Sequence, residues 1–106
     1  MKKIYLAIPY SSIDHELSFR IANKKTAELM NLGHVVYSPI SHSHIIAKDH
    51  DLPKRWEFWE RIDRQFIAWC DELWIIKLEG WQESTGVKAE IIIALEMGKT
   101  VRSIEV

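Results

Sequence analysis

With 106 residues, 47% hydrophobic and 27% charged, the chain has the composition of one folded domain and is too apolar to be disordered. A formal net charge of -1 gives no electrostatic footprint for nucleic acid or an acidic membrane, and the short runs Lys2-Lys3 and Lys24-Lys25 read as solvated surface. The single cysteine, Cys70, excludes an internal disulfide and reads as a small core residue. No apolar stretch is long enough to span a bilayer and the N-terminus lacks a signal-peptide pattern, so a cytoplasmic location is expected.

Lys3 to Pro9, KIYLAIP, is a short apolar run ended by proline, which predicts a central parallel strand buried on both faces. Ser11, Ser12 or Asp14 then caps a helix to about Asn31, ended by Gly33. Phe19, Ala22, Thr26, Leu29 and Met30 form its expected core stripe, while Leu17 and Ile21 fall on the opposite face and suggest a subunit contact. His34 to Ser38 is the second predicted strand, stopped by Pro39. The fourteen residues Ile40 to Pro53 show little periodicity and predict a long loop.

Asp51 and Pro53 supply a cap and a first-turn proline for a helix to about Cys70, with Trp56, Trp59, Phe66, Ile67 and Cys70 as its apolar stripe. Asp63 interrupts that stripe. Leu73 to Leu78 is the third predicted strand, and Ser84 caps a helix that Gly98 ends. Ile91-Ile92-Ile93 makes this helix apolar nearly all round, which implies burial from two sides and hence a homo-oligomer, a dimer or tetramer. Thr100 to Glu105 is the last strand. Strands alternating with helices predict an α/β, three-layer Rossmann-like (flavodoxin-like) domain over residues 1–106, with a four- to five-stranded parallel sheet and a ligand crevice at the carboxyl ends of its strands.

Two acids, Asp63 and Glu90, each break an apolar helix face beside the third strand. Glu90 lies between Val87, Ile91 and Ala94, on the face that packs against a sheet, and a desolvated carboxylate there needs a reason. If both point into the crevice, they are the pair that glycosyl chemistry requires, one to attack or stabilise an oxocarbenium-like centre and one to handle a proton. The competing possibility is that each sits at the edge of its stripe, paired with Arg64, Lys88 or Lys99. The start of the helix that carries Glu90 has free amide N–H groups and a permissive Gly86, which suits an anion or a hydroxyl.

Tyr5-Leu6-Ala7, Asp63 eight residues before Asp71, and Ser84-x-Gly86-x-x-x-Glu90 followed by Ala94 and Gly98-Lys99-Thr100-Val101 together resemble the nucleoside 2-deoxyribosyltransferase superfamily. That superfamily includes the deoxynucleoside monophosphate N-glycosidases, and the chain looks especially like its small bacterial and phage branch of uncharacterised domains. The resemblance implies Glu90 as the nucleophile on C1′, Asp63 as the proton-handling acid and Tyr5 as the residue that orients Glu90. It also implies a substrate-binding role for Ser84 and Gly86 at the helix start, and Pro9 and Tyr10, at the carboxyl end of the first strand, are expected to bind substrate beside them. No metal or organic cofactor is implied. The expected partner is a small nucleoside or nucleotide, not a nucleic acid polymer or a membrane. The chain departs from the family at Ile8, where glycine is frequent, and at Pro9-Tyr10-Ser11-Ser12, where the glycosidase branch has small residues and an arginine that grips a 5′-phosphate.

Two further features remain to be placed. His42, His44, His50, Asp49 and Asp51 invite a metal-dependent hydrolase reading, although their spacing matches no closed site, and a simpler role is for His44 to bind substrate from the rim. Of the five tryptophans, most are expected in the core or a subunit contact, while Trp81, before Ser84, is placed to stack on a base. A non-catalytic nucleotide-binding sensor with the same fold is the remaining alternative.

Overall fold

The computed structural model describes residues 1–10 and 14–106. Strand β1 (Lys3–Ala7) is followed by helix α1 (His15–Asn31), β2 (Val35–Tyr37), α2 (Pro39–His50), α3 (Trp56–Trp69), β3 (Glu72–Ile76), α4 (Thr85–Glu96) and β4 (Thr100–Ile104). All strand pairs are parallel, in the order β2-β1-β3-β4. This is a three-layer α/β fold with four strands.

The alternation of side chains along β1 divides the core in two. Ile4, Leu6 and Ile8 point to one face, where they meet Ala22 and Leu29 of α1. Tyr5 and Ala7 point to the other, among Ile67 of α3, Leu73 and Ile75 of β3, and Val87, Ile93 and Ala94 of α4. Ile4, Tyr5, Leu6 and Ala7 have no exposed surface at all. A large apolar side chain so buried contributes about 1.5–3 kcal/mol, so β1 anchors both layers.

The ends of α1 and α4 follow their capping signals. Asp14 caps α1, its carboxylate accepting from the Leu17 N–H at 2.9 Å, while Ser11 and Ser12 lie outside the described residues. Ala22, Thr26 and Leu29 are buried as expected, but Met30 is 53% exposed, and Ile21, expected on an outer face, packs against the core. Ser84 caps α4 through the Val87 N–H. Ile92 and Leu95 on that helix are 57% and 60% exposed, so its outer apolar face is open in the single chain.

The region between β2 and β3 corrects the sequence reading. The predicted loop Ile40–Pro53 is mostly helix α2, because Pro39 opens a helix as well as closing a strand. Ser38 accepts from the Ser41 N–H at 3.3 Å as N-cap, Pro39 occupies the first turn, and Asp51 ends the helix with a left-handed φ of 51°. Asp51 therefore does not begin α3. That helix starts at Trp56 behind Arg55, which makes no side-chain cap, and the Pro53 carbonyl instead accepts from Trp59 Nε1 at 2.7 Å. Among the described residues no helix is long and apolar enough to cross a membrane.

Candidate active site

Tyr5, Asp63 and Glu90 come from three elements and meet on one face of the sheet. Pleating sends Tyr5 to the α3 and α4 side, and the register places it between Tyr37 of β2 and Leu73 of β3. Glu90 lies in the second turn of α4 on the inward face with Val87, Ile93 and Ala94, and Asp63 lies on the inward face of α3 with Ile67. Both acids are only 6% exposed. The Tyr5 hydroxyl donates to Glu90 Oε2.

Neither acid is neutralised by the cations considered from sequence. Arg64 pairs with Glu60 at 2.8 Å and the Lys99 ammonium donates to the Ala68 carbonyl at 2.9 Å. Among the described residues no ion pair reaches Asp63 or Glu90, and their acidities respond accordingly. Burial, and then the charge of Asp63, pushes Glu90 up to about 8, while burial pushes Asp63 up to about 7; the Tyr5 hydroxyl acts against both shifts. Near neutral pH the pair therefore retains a proton. Tyr5 is a fixed donor, since burial and then the Glu90 charge hold its phenol well above the usual range.

The two acids open onto a cavity of about 790 Å³ at the carboxyl ends of the strands. Ser84, Thr85 and Gly86 at the start of α4 form one part of its wall, and Tyr10, His15, His44 and Lys54 another. Of the positions named from sequence, Asp63, Glu90, Tyr10, His44, Ser84 and Gly86 line this space, and Tyr5 stands behind Glu90.

Two do not. Pro9 is buried and its carbonyl accepts from Ser18 Oγ at 2.8 Å, so its neighbours Ile8 and Tyr10 form the wall instead. Trp81, expected to stack on a base, is half-buried against the core and is not part of the wall. Trp56 and Trp59 line the cavity instead. Their spacing to Asp63, three and seven residues from Trp56, puts all three on one helical face, a signal that was present in the stripe but read as core.

Sequence reasoning also missed Tyr37. Its ring stacks on Phe66 at 3.7 Å and lies 5.8 Å from that of Tyr5, and its buried hydroxyl has no hydrogen-bond partner among the described residues. Burial, and then the charge of Asp63, pushes this phenol up to about 12. The histidines expected on a loop sit on α2 and separate. His42 bonds to Ser43 Oγ at 2.9 Å, His44 faces Tyr10 and Glu16, and His50 lies in the exposed last turn. Among the described residues no three His, Cys, Asp or Glu side chains gather as a metal cluster would require.

Comparison with solved structures finds a 2-deoxyribosyltransferase from the psychrotolerant bacterium Bacillus psychrosaccharolyticus, at 27% identity and a TM-score of 0.67, over 97% of this chain and 72% of that one. None of the curated proteins matches the sequence significantly. Residues 2–106 match a protein family described as a domain of unknown function, DUF1937.

Proposed function

The chain belongs to the DUF1937 family, and from that starting point we propose that it cleaves the N-glycosidic bond of a small nucleoside or nucleotide, as an N-glycosidase or a 2-deoxyribosyltransferase. The observation that carries this reading is the convergence of two buried, unpaired acids on one cavity, with a tyrosine hydroxyl on one of them. A fold held together by apolar burial gains nothing from such a pair, whereas glycosyl chemistry uses both members. The 2-deoxyribosyltransferase neighbour, which aligns with nearly the whole chain, supports the same class of reaction.

In the proposed reaction, a Glu90 oxygen attacks C1′ and the bond from C1′ to the base nitrogen breaks. The bonding pair leaves with the base, which takes its proton from the Asp63 carboxyl. The glycosyl–Glu90 ester is then opened, its bonding pair returning to the Glu90 carboxylate, either by water, which loses a proton to Asp63 and releases the free sugar, or by the nitrogen of a second base, whose N–H proton passes to Asp63. For the first step the proton shared by the pair must reside on Asp63. Tyr5 favours that placement by donating to Glu90, and positive charge growing at C1′ favours it further. Ser84 and the Gly86 backbone, at the α4 N-terminus, would hold a sugar hydroxyl or a 5′-phosphate, and Trp56 or Trp59 would pack on the base. The open Ile92 and Leu95 face fits a homodimer or larger assembly.

The test is to incubate the protein with a panel of nucleosides and their 5′-monophosphates, with and without a second base, and to follow free and exchanged base by chromatography. Turnover abolished by Glu90→Ala is expected. Ligand binding with no base release across the panel would replace this reading with that of a nucleotide sensor.

A further inference from the structure

Beside the acid pair, the cavity wall carries a connected chain of polar side chains. His44 Nε2 lies 3.0 Å from Glu16 Oε1, and His44 Nδ1 lies 2.5 Å from the Tyr10 hydroxyl. His44 is 5% exposed and its ring stacks on Phe19 at 4.5 Å, so it has little freedom to turn. Tyr10 is held in turn by a stack on His15 at 4.1 Å. Glu16 also takes the Lys48 ammonium at 3.3 Å, and its bonds to His44 and then Lys48 draw its carboxyl below the usual range, so it is ionised.

The partners fix the hydrogens. An ionised carboxylate can only accept, so an imidazole that carries one proton carries it on Nε2. Nδ1 is then a bare acceptor, and Tyr10 must donate to it the one proton that it has. The phenol oxygen keeps its lone pairs but has no hydrogen left for a ligand. A histidine that served only the core would not end on a residue that is 38% exposed and forms part of the cavity wall.

We infer that Glu16 and His44 set Tyr10 as a hydrogen-bond acceptor facing the cavity, which makes Tyr10 a specificity-determining residue. It favours a ligand that presents an N–H or O–H donor at that point and disfavours one that presents only a lone pair. The inference rests on the proposed reading of the cavity as a nucleoside-type site, and it names the chemistry of one edge of the substrate. That donor has two sources, an exocyclic amine of the base or a hydroxyl of the sugar. Glu16 and His44 are positioning residues that act through Tyr10. Because Tyr10 is partly open to water, the discrimination is on the order of tenfold, less than in a sealed site.

The experiment uses the Glu90→Gln protein, so that binding is measured without turnover, and calorimetry with four ligands. These are an adenine nucleoside, the matching purine nucleoside without the amine, and the 3′-deoxy form of each. Loss of the donor that faces Tyr10, the amine in one arm or the hydroxyl in the other, should weaken binding on the order of tenfold. Adding Tyr10→Phe should erase that difference while leaving the donor-free ligand bound as before. Adding Glu16→Ala frees His44 to carry its proton on Nδ1, which turns the Tyr10 proton toward the cavity, so the preference should shrink or reverse. Equal weakening of all ligands by Tyr10→Phe, or unchanged discrimination in Glu16→Ala, would reduce the chain to ring packing and overturn the inference. Absence of binding by every ligand overturns this inference together with the nucleoside reading. Discrimination as described, with no base released by the wild type, sinks only the glycosidase reading.

Discussion

Replacing Glu90 with glutamine should stabilise the fold at neutral pH, although it removes the residue proposed as nucleophile. Glu90 is pushed from a reference value of 4.5 to about 8 by burial and then by the Asp63 charge. A carboxyl whose folded-state value is raised is held in its neutral form, so the fold is most favoured below pH 4.5 and loses stability as pH rises toward 8. At pH 7 the folded state must carry a proton that the unfolded chain has released. Over roughly 2.5 pH units, at about 1.4 kcal/mol per unit, this costs about 3–4 kcal/mol. Glutamine carries no such cost, but its N–H groups need acceptors, so a net gain of about 1–3 kcal/mol is expected. For a domain of this size that is a rise in Tm of roughly 5–15 °C. Thermal melts of the two proteins from pH 4 to 8 provide the assay. The stability of the glutamine protein relative to wild type should be zero or slightly negative at pH 4.5 and rise steadily to pH 8. A gap that does not change with pH, or a glutamine variant less stable than wild type at pH 7, would show that Glu90 is not a desolvated, unpaired acid, and the case for its chemical role would fail with it.

Three other perturbations test different parts of the structure. Tyr5→Phe removes the donor to Glu90 while keeping the ring in the core, so kcat should fall by on the order of 10- to 100-fold and the acidic limb of the pH–rate profile should move to higher pH, with KM little changed. Glu72 is drawn down to about 2 by Lys2 first, then by Trp74, with Arg102 adding to both. Its contribution is present above pH 4.5 and lost as pH falls toward 2, so Glu72→Gln should lower the denaturation midpoint at pH 7 and match wild type near pH 2. Ile92→Glu with Leu95→Lys, on the open face of α4, should convert an assembled protein to monomer in sedimentation analysis without lowering the stability of the single chain, since neither side chain is in the core.

How much of this was readable without coordinates depended on where each signal came from. The core strands were legible because KIYLA and LWII are apolar on both faces, and α4 because Ser84 and Gly98 mark its ends. Glu90 and Asp63 were legible as violations: a charge on an otherwise apolar helical face has few structural uses. Helix α2 was hidden because its sequence, PISHSHIIAKDH, buries only Pro39 and His44 and so carries almost no period; capping and contact with α1 hold it. The same blindness put Trp81 in the site in place of Trp56 and Trp59. A tryptophan next to a cap looks exposed in sequence, but the turn at Gly80 folds Trp81 back toward the Leu78 carbonyl and the core. Tyr37 could not have been found at all, because an unspent hydroxyl is a property of its surroundings and leaves no mark in the sequence.

The site depends on strand register more than on any single side chain. In β1 the residues alternate between a purely apolar face under α1 and a face that carries Tyr5, and only the second meets the helices that hold Asp63 and Glu90. Sliding β1 by one residue would send Tyr5 to the α1 side and bring Ile4 or Leu6 beneath Glu90. The fold would keep a comparable amount of apolar burial, yet Glu90 would lose its donor and sit against hydrocarbon, with its carboxyl pushed higher still. The register that is observed therefore satisfies two requirements that are separable in principle, a closed core and an acid that can ionise. The pairing of Tyr5 with Leu73 and Tyr37 on either side couples them. That coupling is why a strand whose burial looks purely structural also sets the ionisation of the acid proposed to attack the sugar.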